Sequence, residues 1–160
     1  MITIRRASID DADTVTDIVC TTWLDSYKDM LSEDVIRKGS DYERKLAIEK
    51  EILSDNSCAV FLALDGTQPS GMATVDSSGY IRQLYVRKHC QGMGVGTMLL
   101  DALTAAAKDF GCTRLTLDTL ESSRQSNGFY RKNGFAAVSK EQPDFLCGAV
   151  SIKYEKDLTV

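Results

Sequence analysis

Three glycines, Gly92, Gly94 and Gly96, alternate between a short basic segment, Arg87-Lys88-His89, and the start of a strongly apolar helix pattern. A glycine-rich turn that opens a helix suits an anion. Backbone N–H groups converge there, glycine admits close approach, and the helix dipole favours negative charge. The spacing is GxGxG. A dinucleotide fingerprint needs GxGxxG within repeated βαβ units, and a P-loop needs a lysine followed by Ser or Thr. Thr97 follows Gly96 with no lysine before it, so neither template fits. A diphosphate held mainly by main-chain amides is the chemistry this stretch supports.

Other chemistry-bearing residues are sparse. His89 is the one histidine, beside Cys90, but adjacent loop residues generally diverge and no third orienting group is evident. Asp76 and Asp118 are candidate bases acting through a water, but each reads first as a strand-end acid in solvent. The five cysteines (Cys20, Cys58, Cys90, Cys112, Cys147) are odd in number and include no CxxC, so neither a disulfide framework nor a zinc site is expected. No metal site is expected.

The elements that must position the glycine turn follow from periodicity. Thr3 to Ala7 reads as a strand. Asp10 or Asp11 then caps a helix carrying Val15, Ile18, Val19 and Thr22, with Trp23 and Tyr27 one turn apart at its end. Gly39-Ser40-Asp41 starts a second helix over Tyr42 to Leu53, whose charged face reads as solvated. Ala59–Leu64, Gly71–Asp76 and Tyr80–Val86 form an antiparallel meander punctuated by Asp65-Gly66 and Ser77-Ser78-Gly79. After the glycine turn, Val95, Met98, Leu99, Ala102, Leu103, Ala106 and Phe110 make an apolar helical stripe that Gly111 ends. Thr113–Thr119 is a strand, and Ser122 or Ser123 caps a helix through Lys132. Phe135–Ser139 and Cys147–Tyr154 are closing strands, with the Lys140–Leu146 loop between them. The order β-α-α-β-β-β-α-β-α-β-β gives an α/β (α+β) fold. It is a mixed, mostly antiparallel sheet of about seven strands with one βαβ crossover, whose two strands should be parallel neighbours.

Composition bounds the function. At 160 residues, with 43% apolar and 26% charged residues, the chain suits one soluble domain over 1–160. A formal charge of −4 argues against broad nucleic-acid binding. The longest clean apolar run, Ala59–Leu64, is too short to cross a bilayer, and the first residues carry no apolar signal region. A cytoplasmic protein with reduced thiols is expected.

Gln91-Gly92-Met93-Gly94-Val95-Gly96 matches the Q/R-x-x-G-x-G/A signature of the GCN5-related N-acetyltransferase (GNAT) superfamily. Leu84-Tyr85-Val86 resembles that family's pantetheine-binding strand. Asn127-Gly128-Phe129-Tyr130-Arg131-Lys132-Asn133-Gly134-Phe135 resembles its FYxKxGF segment, and the element order is similar over nearly the whole chain. The resemblance implies an acetyl-CoA-dependent N-acetyltransferase acting on a primary amine of a small molecule or peptide. It places pantetheine on the backbone of Leu84, Tyr85 and Val86, near the point where the two parallel strands splay and the cofactor enters the gap. It places the diphosphate on the amides of Gln91, Gly92, Met93, Gly94, Val95, Gly96 and Thr97, and makes Tyr130 the general acid. Ser123 stands where the family often has a cofactor-contacting asparagine. Many members carry a glutamate base on the strand before the turn, and Tyr80–Val86 has none; Gln83 cannot act as a base. Trp23 and Tyr27 are either core aromatics or part of the acceptor wall, with the Lys140–Leu146 loop as the other wall. Relatives of this kind are often dimers, so a homodimer is the assembly to test for.

The chemistry agrees with those parts. Freeing the lone pair of an amine with a pKa near ~10.4 costs about 4 kcal/mol at neutral pH. A fixed backbone N–H can meet the developing oxyanion, and a phenol can protonate a leaving thiolate. Two functions stay open: catalysis, or a non-catalytic acyl-CoA-sensing domain that regulates a partner. A nucleotide-dependent oxidoreductase is a third and weaker reading.

Overall fold

Strand β4 (Ile81–Val86) and strand β5 (Arg114–Leu120) touch at one end and part at the other, and the fold is arranged around that parting. The structure is a computed structural model and describes residues 1–159. Strand β1 (Ile2–Arg6), β2 (Cys58–Asp65) and β3 (Gln68–Asp76) join β4 in an antiparallel sheet of order β1-β2-β3-β4. A second antiparallel sheet has the order β5-β7-β6, with β6 at Ala136–Glu141 and β7 at Ser151–Asp157. The sheets meet through one parallel bridge, Tyr80 with Thr116, where the Thr116 N–H donates to the Gly79 carbonyl at 2.9 Å. The two crossover strands are therefore parallel neighbours only at their start. β5 is drawn away by a ladder with β7 that runs from Arg114–Asp157 to Leu120–Ser151, and the far edge of β4 is left uncovered.

Period-two alternation in β2 explains the layers. Ala59 and Ala63 face helix α4 (Val95–Asp109), while Val60 and Leu62 face helix α1 (Ala12–Tyr27). Alanines under Leu99 and Leu103 let α4 sit close to the sheet; on the other face Val15, Ile18 and Val19 pack against Leu62 and Met72. Burying each of these leucines contributes about 1.5–3 kcal/mol. The buried face of α4 is broader than the expected stripe, because Leu100 and Ala107 are also inside. Gly111 (φ 86°) ends α4 in a Schellman motif: Cys112 N–H reaches the Ala107 carbonyl and Gly111 N–H the Lys108 carbonyl, both at 2.9 Å.

Helix α3 (Tyr42–Leu53) lies where periodicity puts it, capped by Asp41. One element is additional: helix α2 (Glu33–Gly39), capped by Ser32, whose hydroxyl accepts from Val35 N–H. Its two turns bury only Val35, Ile36 and Gly39, too few apolar positions for a period to show. The charged face of α3 holds a second surprise. Glu49 is not solvated but completely buried. The last strand, β7, starts later than expected because a 3₁₀ turn at Asp144–Leu146 and a left-handed Cys147 (φ 53°) lengthen the preceding loop. Among the described residues, no helix is long and apolar enough to cross a membrane.

Candidate active site

A cavity of about 520 Å³ opens where β4 and β5 diverge, floored by the glycine turn and walled by α1 and by helix α5 (Arg124–Lys132). The turn adopts the conformation its sequence demands. Gly92 and Gly94 have φ of 79° and 84°, a region costly for side chains, and Gly94 is the N-cap of α4. The first helical bond runs from Met98 N–H to the Gly94 carbonyl at 3.1 Å. None of the six amides from Gly92 to Thr97 has an acceptor among the described residues. Gly96 serves a different need: a Cβ there would stand 3.2 Å from the Phe129 ring, so glycine lets α4 and α5 meet. Lys88 and Lys132 add positive charge to the lining. This donor set fits a diphosphate and leaves nothing on the protein to compete for it. Of the expected cofactor residues, the Met93 side chain is 54% exposed and does not line the cavity; Gln91, Gly92, Gly94, Val95, Gly96 and Thr97 do.

Leu84, Tyr85 and Val86 line the same cavity from the free edge of β4. Leu84 and Val86 pack on the α4 side, Tyr85 on the α1 side. Arg87 ties the end of this strand down. Its guanidinium donates to Asp17 at 2.7 Å, to the Thr21 hydroxyl at 3.2 Å and to the Pro69 carbonyl at 2.9 Å. Gln91 donates to the Val86 carbonyl at 3.2 Å and accepts from Gln125 at 2.9 Å, linking the turn to α5 across the cavity.

Tyr130 is placed by the end of α5. Gly134 (φ 91°) closes that helix in another Schellman motif. Phe135 N–H bonds the Tyr130 carbonyl at 3.0 Å, and Gly134 N–H bonds that of Arg131 at 3.2 Å. The accompanying apolar contact is Phe135 on Tyr130, ring centroids 5.5 Å apart. Phe129 and Tyr154 complete the ring's surroundings. Burial, assisted by the neighbouring Tyr27, pushes the Tyr130 phenol well above its ordinary pKa, so it keeps its proton. Ser123 is the N-cap residue of α5, lines the cavity, and donates to the Ser126 hydroxyl at 2.9 Å. Asn127, four residues on, is fully occupied by structure. Its Nδ2 donates to the carbonyls of Leu120 and Ser123, and its Oδ1 accepts from the Tyr154 hydroxyl at 2.5 Å.

A smaller cavity of about 60 Å³ adjoins the first and shares Tyr27, Leu84, Tyr85, Ser126 and Tyr130 with it. Gln83 and Asp118 line its far side. Tyr27 is thus at the junction. Trp23 lines neither cavity: its ring stacks edge-on to Tyr27 at 5.0 Å and lies so close over Gly39 that a Cβ there would fall 2.2 Å from it. The β6–β7 loop also stays behind the lining. Its Leu146 packs with Val35 and Leu120 against Trp23 and Tyr27, clasping α2 to the second sheet. Asp118 accepts from the Tyr80 hydroxyl at 2.8 Å, whereas Asp76 is held by Ser78 and Arg82. His89 is exposed and Cys90 buried, so the pair points apart. Sequence reasoning missed Gln125 and Ser126, whose only signal was their place in the first turn of α5, and Glu49, which had none.

Similarity to known proteins gives the family and the fold. An aminoglycoside N(6')-acetyltransferase type 1 from Stenotrophomonas maltophilia is 34% identical over an alignment of 102 residues, and the match covers 55% of this chain and 66% of that enzyme's length. The fold matches a PaiA N-acetyltransferase from Thermoplasma acidophilum in complex with coenzyme A, with a TM-score of 0.78 and 22% identity, over 98% of this chain and 99% of that one. It also matches a GCN5-related N-acetyltransferase from Rhodopseudomonas palustris, with a TM-score of 0.80 and 25% identity, over 98% and 95%. The acetyltransferase (GNAT) family model covers residues 20–135, a span that runs from α1 through the glycine turn to the Schellman turn after Tyr130, and the chain belongs to that family.

Proposed function

We propose that the protein transfers an acetyl group directly from acetyl-CoA to a primary amine of a small molecule or peptide. The observation that carries this reading is the row of six unpartnered amides from Gly92 to Thr97, which opens into the same cavity as the β4 edge and Tyr130. Family membership supports N-acetyltransferase activity and acetyl-CoA as donor.

Bound at this site, the coenzyme supplies an acetyl thioester. The chain's part is to hold and to manage protons. The amides of Gly92–Thr97, with Lys88 and Lys132 nearby, meet the diphosphate; Leu84, Tyr85 and Val86 present main-chain groups along the cavity wall. A fixed N–H on that strand edge can stabilise the oxyanion that forms as the amine attacks. Tyr130 keeps a proton on Oη at neutral pH and can give it to the departing sulfur, whose parent pKa of roughly 8.5 makes it ready to take one. Ser123 borders the same cavity as a cofactor contact. Tyr27 stands where the two cavities join, on the side from which the amine would arrive; Trp23 supports it from behind.

The relative that acetylates aminoglycosides makes amino sugars the first acceptors to test. The test is release of CoA thiol from acetyl-CoA across kanamycin, spermidine, amino acids and lysine peptides. Turnover of any amine supports the reading. Tight acetyl-CoA binding with no turnover across the panel favours a non-catalytic acyl-CoA sensor, and failure to bind acetyl-CoA defeats both.

A further inference from the structure

The acceptor side holds one costly feature that the acyl-transfer scheme does not use. Glu49, on α3, is fully buried, and its Oε2 has no hydrogen-bond partner in the protein. No cation lies within salt-bridge distance of it among the described residues; Lys45, one turn earlier, has its Nζ 5.3 Å from the centre of the Trp23 ring instead. A buried carboxylate without an ion pair costs several kcal/mol, and an apolar residue of similar volume would be cheaper to fold. Its one partner is Gln83, whose Nε2 donates to Glu49 Oε1. Gln83 Oε1 in turn accepts from the Thr74 hydroxyl at 2.9 Å. Gln83 lines the small cavity; Glu49 and Thr74 do not.

We propose that Glu49 is a positioning residue for acyl transfer, fixing through Gln83 the polar wall of the cavity that takes the amine. A carboxylate can only accept, and a threonine hydroxyl has a proton to give. Between them they set which end of the Gln83 carboxamide is which and hold its plane. One Nε2–H and one Oε1 lone pair remain for whatever enters the cavity. A free glutamine would average over both faces of its amide and lose rotamer entropy on binding. Gln83, which cannot act as a base, is thereby an oriented donor and acceptor, and the carboxylate absent from β4 stands behind it on α3. This inference rests on the acyl-transfer reading and on the small cavity being the acceptor side.

The test is a double-mutant cycle between Glu49→Leu and Gln83→Leu. Its readout is kcat/KM for the fastest-turned-over of kanamycin, spermidine and ethylamine, with acetyl-CoA affinity followed by calorimetry in every variant. Glu49→Leu should lower kcat/KM for the amine roughly tenfold, with acetyl-CoA affinity within about twofold of wild type, and should cost almost nothing more in the Gln83→Leu background. Glu49→Gln, which keeps an acceptor oxygen, should recover part of the loss. If Glu49→Leu does not fold, Thr74→Val removes the other bond to Gln83 and carries the same cycle. An equal cost in both backgrounds, or a loss that falls on acetyl-CoA affinity, overturns the proposal and leaves the acyl-transfer reading intact. If the wild type turns over none of these three amines and none of the amino acids or lysine peptides, the acyl-transfer reading fails first and this proposal with it.

Discussion

The two sides of the cleft are built from different materials. The proposed cofactor side uses main chain: a strand edge, a glycine turn and the first amides of α4, all contiguous between Leu84 and Thr97. The proposed acceptor side uses side chains brought from far apart, with Tyr27 from α1, Glu49 from α3, Gln83 from β4 and Asp118 from β5. Main-chain sites need a local conformation, and a few glycines dictate it. Side-chain sites need the whole fold before any two members meet. The cofactor side should therefore fail when backbone geometry fails, and the acceptor side when individual contacts are removed.

Tyr130 belongs to both sides, so it gives the largest expected effect. Tyr130→Phe keeps the ring packed against Phe135 and Tyr154 but removes the proton on Oη. A general acid is worth roughly 10²-fold or more, so kcat should drop by about that factor while acetyl-CoA binding holds. Unchanged turnover in single-turnover kinetics would take Tyr130 out of the chemistry and leave it as core.

Asn127 probes the scaffold under the cofactor side. Asn127→Ala strands the buried Tyr154 hydroxyl, while the Leu120 carbonyl keeps its bond from Ser123 N–H. The expected loss is about 1–3 kcal/mol of stability in urea unfolding. KM for the amine should stay within twofold or so; a large change there would mean that the two sides are coupled through α5.

Gly94 tests main-chain construction directly. Nothing lies within 4 Å of the place a Cβ would occupy, so Gly94→Ala adds no clash and isolates the strain at φ 84°. That strain is about 1–2 kcal/mol, and relaxing it would tilt the amides that follow. Acetyl-CoA affinity should fall about tenfold in calorimetry, at unchanged kcat under saturation. The same substitution at Gly96 should act differently, by pushing against Phe129 and loosening α4 from α5.

This contrast also explains what the sequence made legible. The glycine turn, α4 with its Gly111 stop, and the Asn133-Gly134 stop after Tyr130 were readable because each is a local rule about φ and hydrogen-bond closure. The parting of β4 from β5 was implied only by the family resemblance, since strand periodicity carries no information on where a ladder ends. Helix α2 was too short to show a period. Glu49 sat in a run, Glu43-Arg44-Lys45 through Glu49-Lys50-Glu51, that reads as a solvated face, and nothing local distinguishes the one acid that turns inward.

The smallest effect sharpens that last point, because it separates the cost of Glu49 from its use. Burial pushes its carboxyl above the ordinary range, more than the bond from Gln83 and the charge on Lys45 pull it down. A raised folded-state pKa means that the folded protein binds the proton more tightly than the unfolded chain. The stabilising contribution is complete below the unfolded value near ~4.3 and is lost as pH rises through the folded value. Glu49→Gln has no such group. Its stability relative to wild type should therefore climb with pH from about pH 4 upward and level off once the wild-type carboxyl is ionised. Denaturant midpoints measured in parallel across that range would show it. A difference that stays flat with pH would mean that Glu49 titrates like a surface acid. The buried carboxylate would then cost the fold little, and the argument that it is kept for the acceptor side would lose its energetic ground.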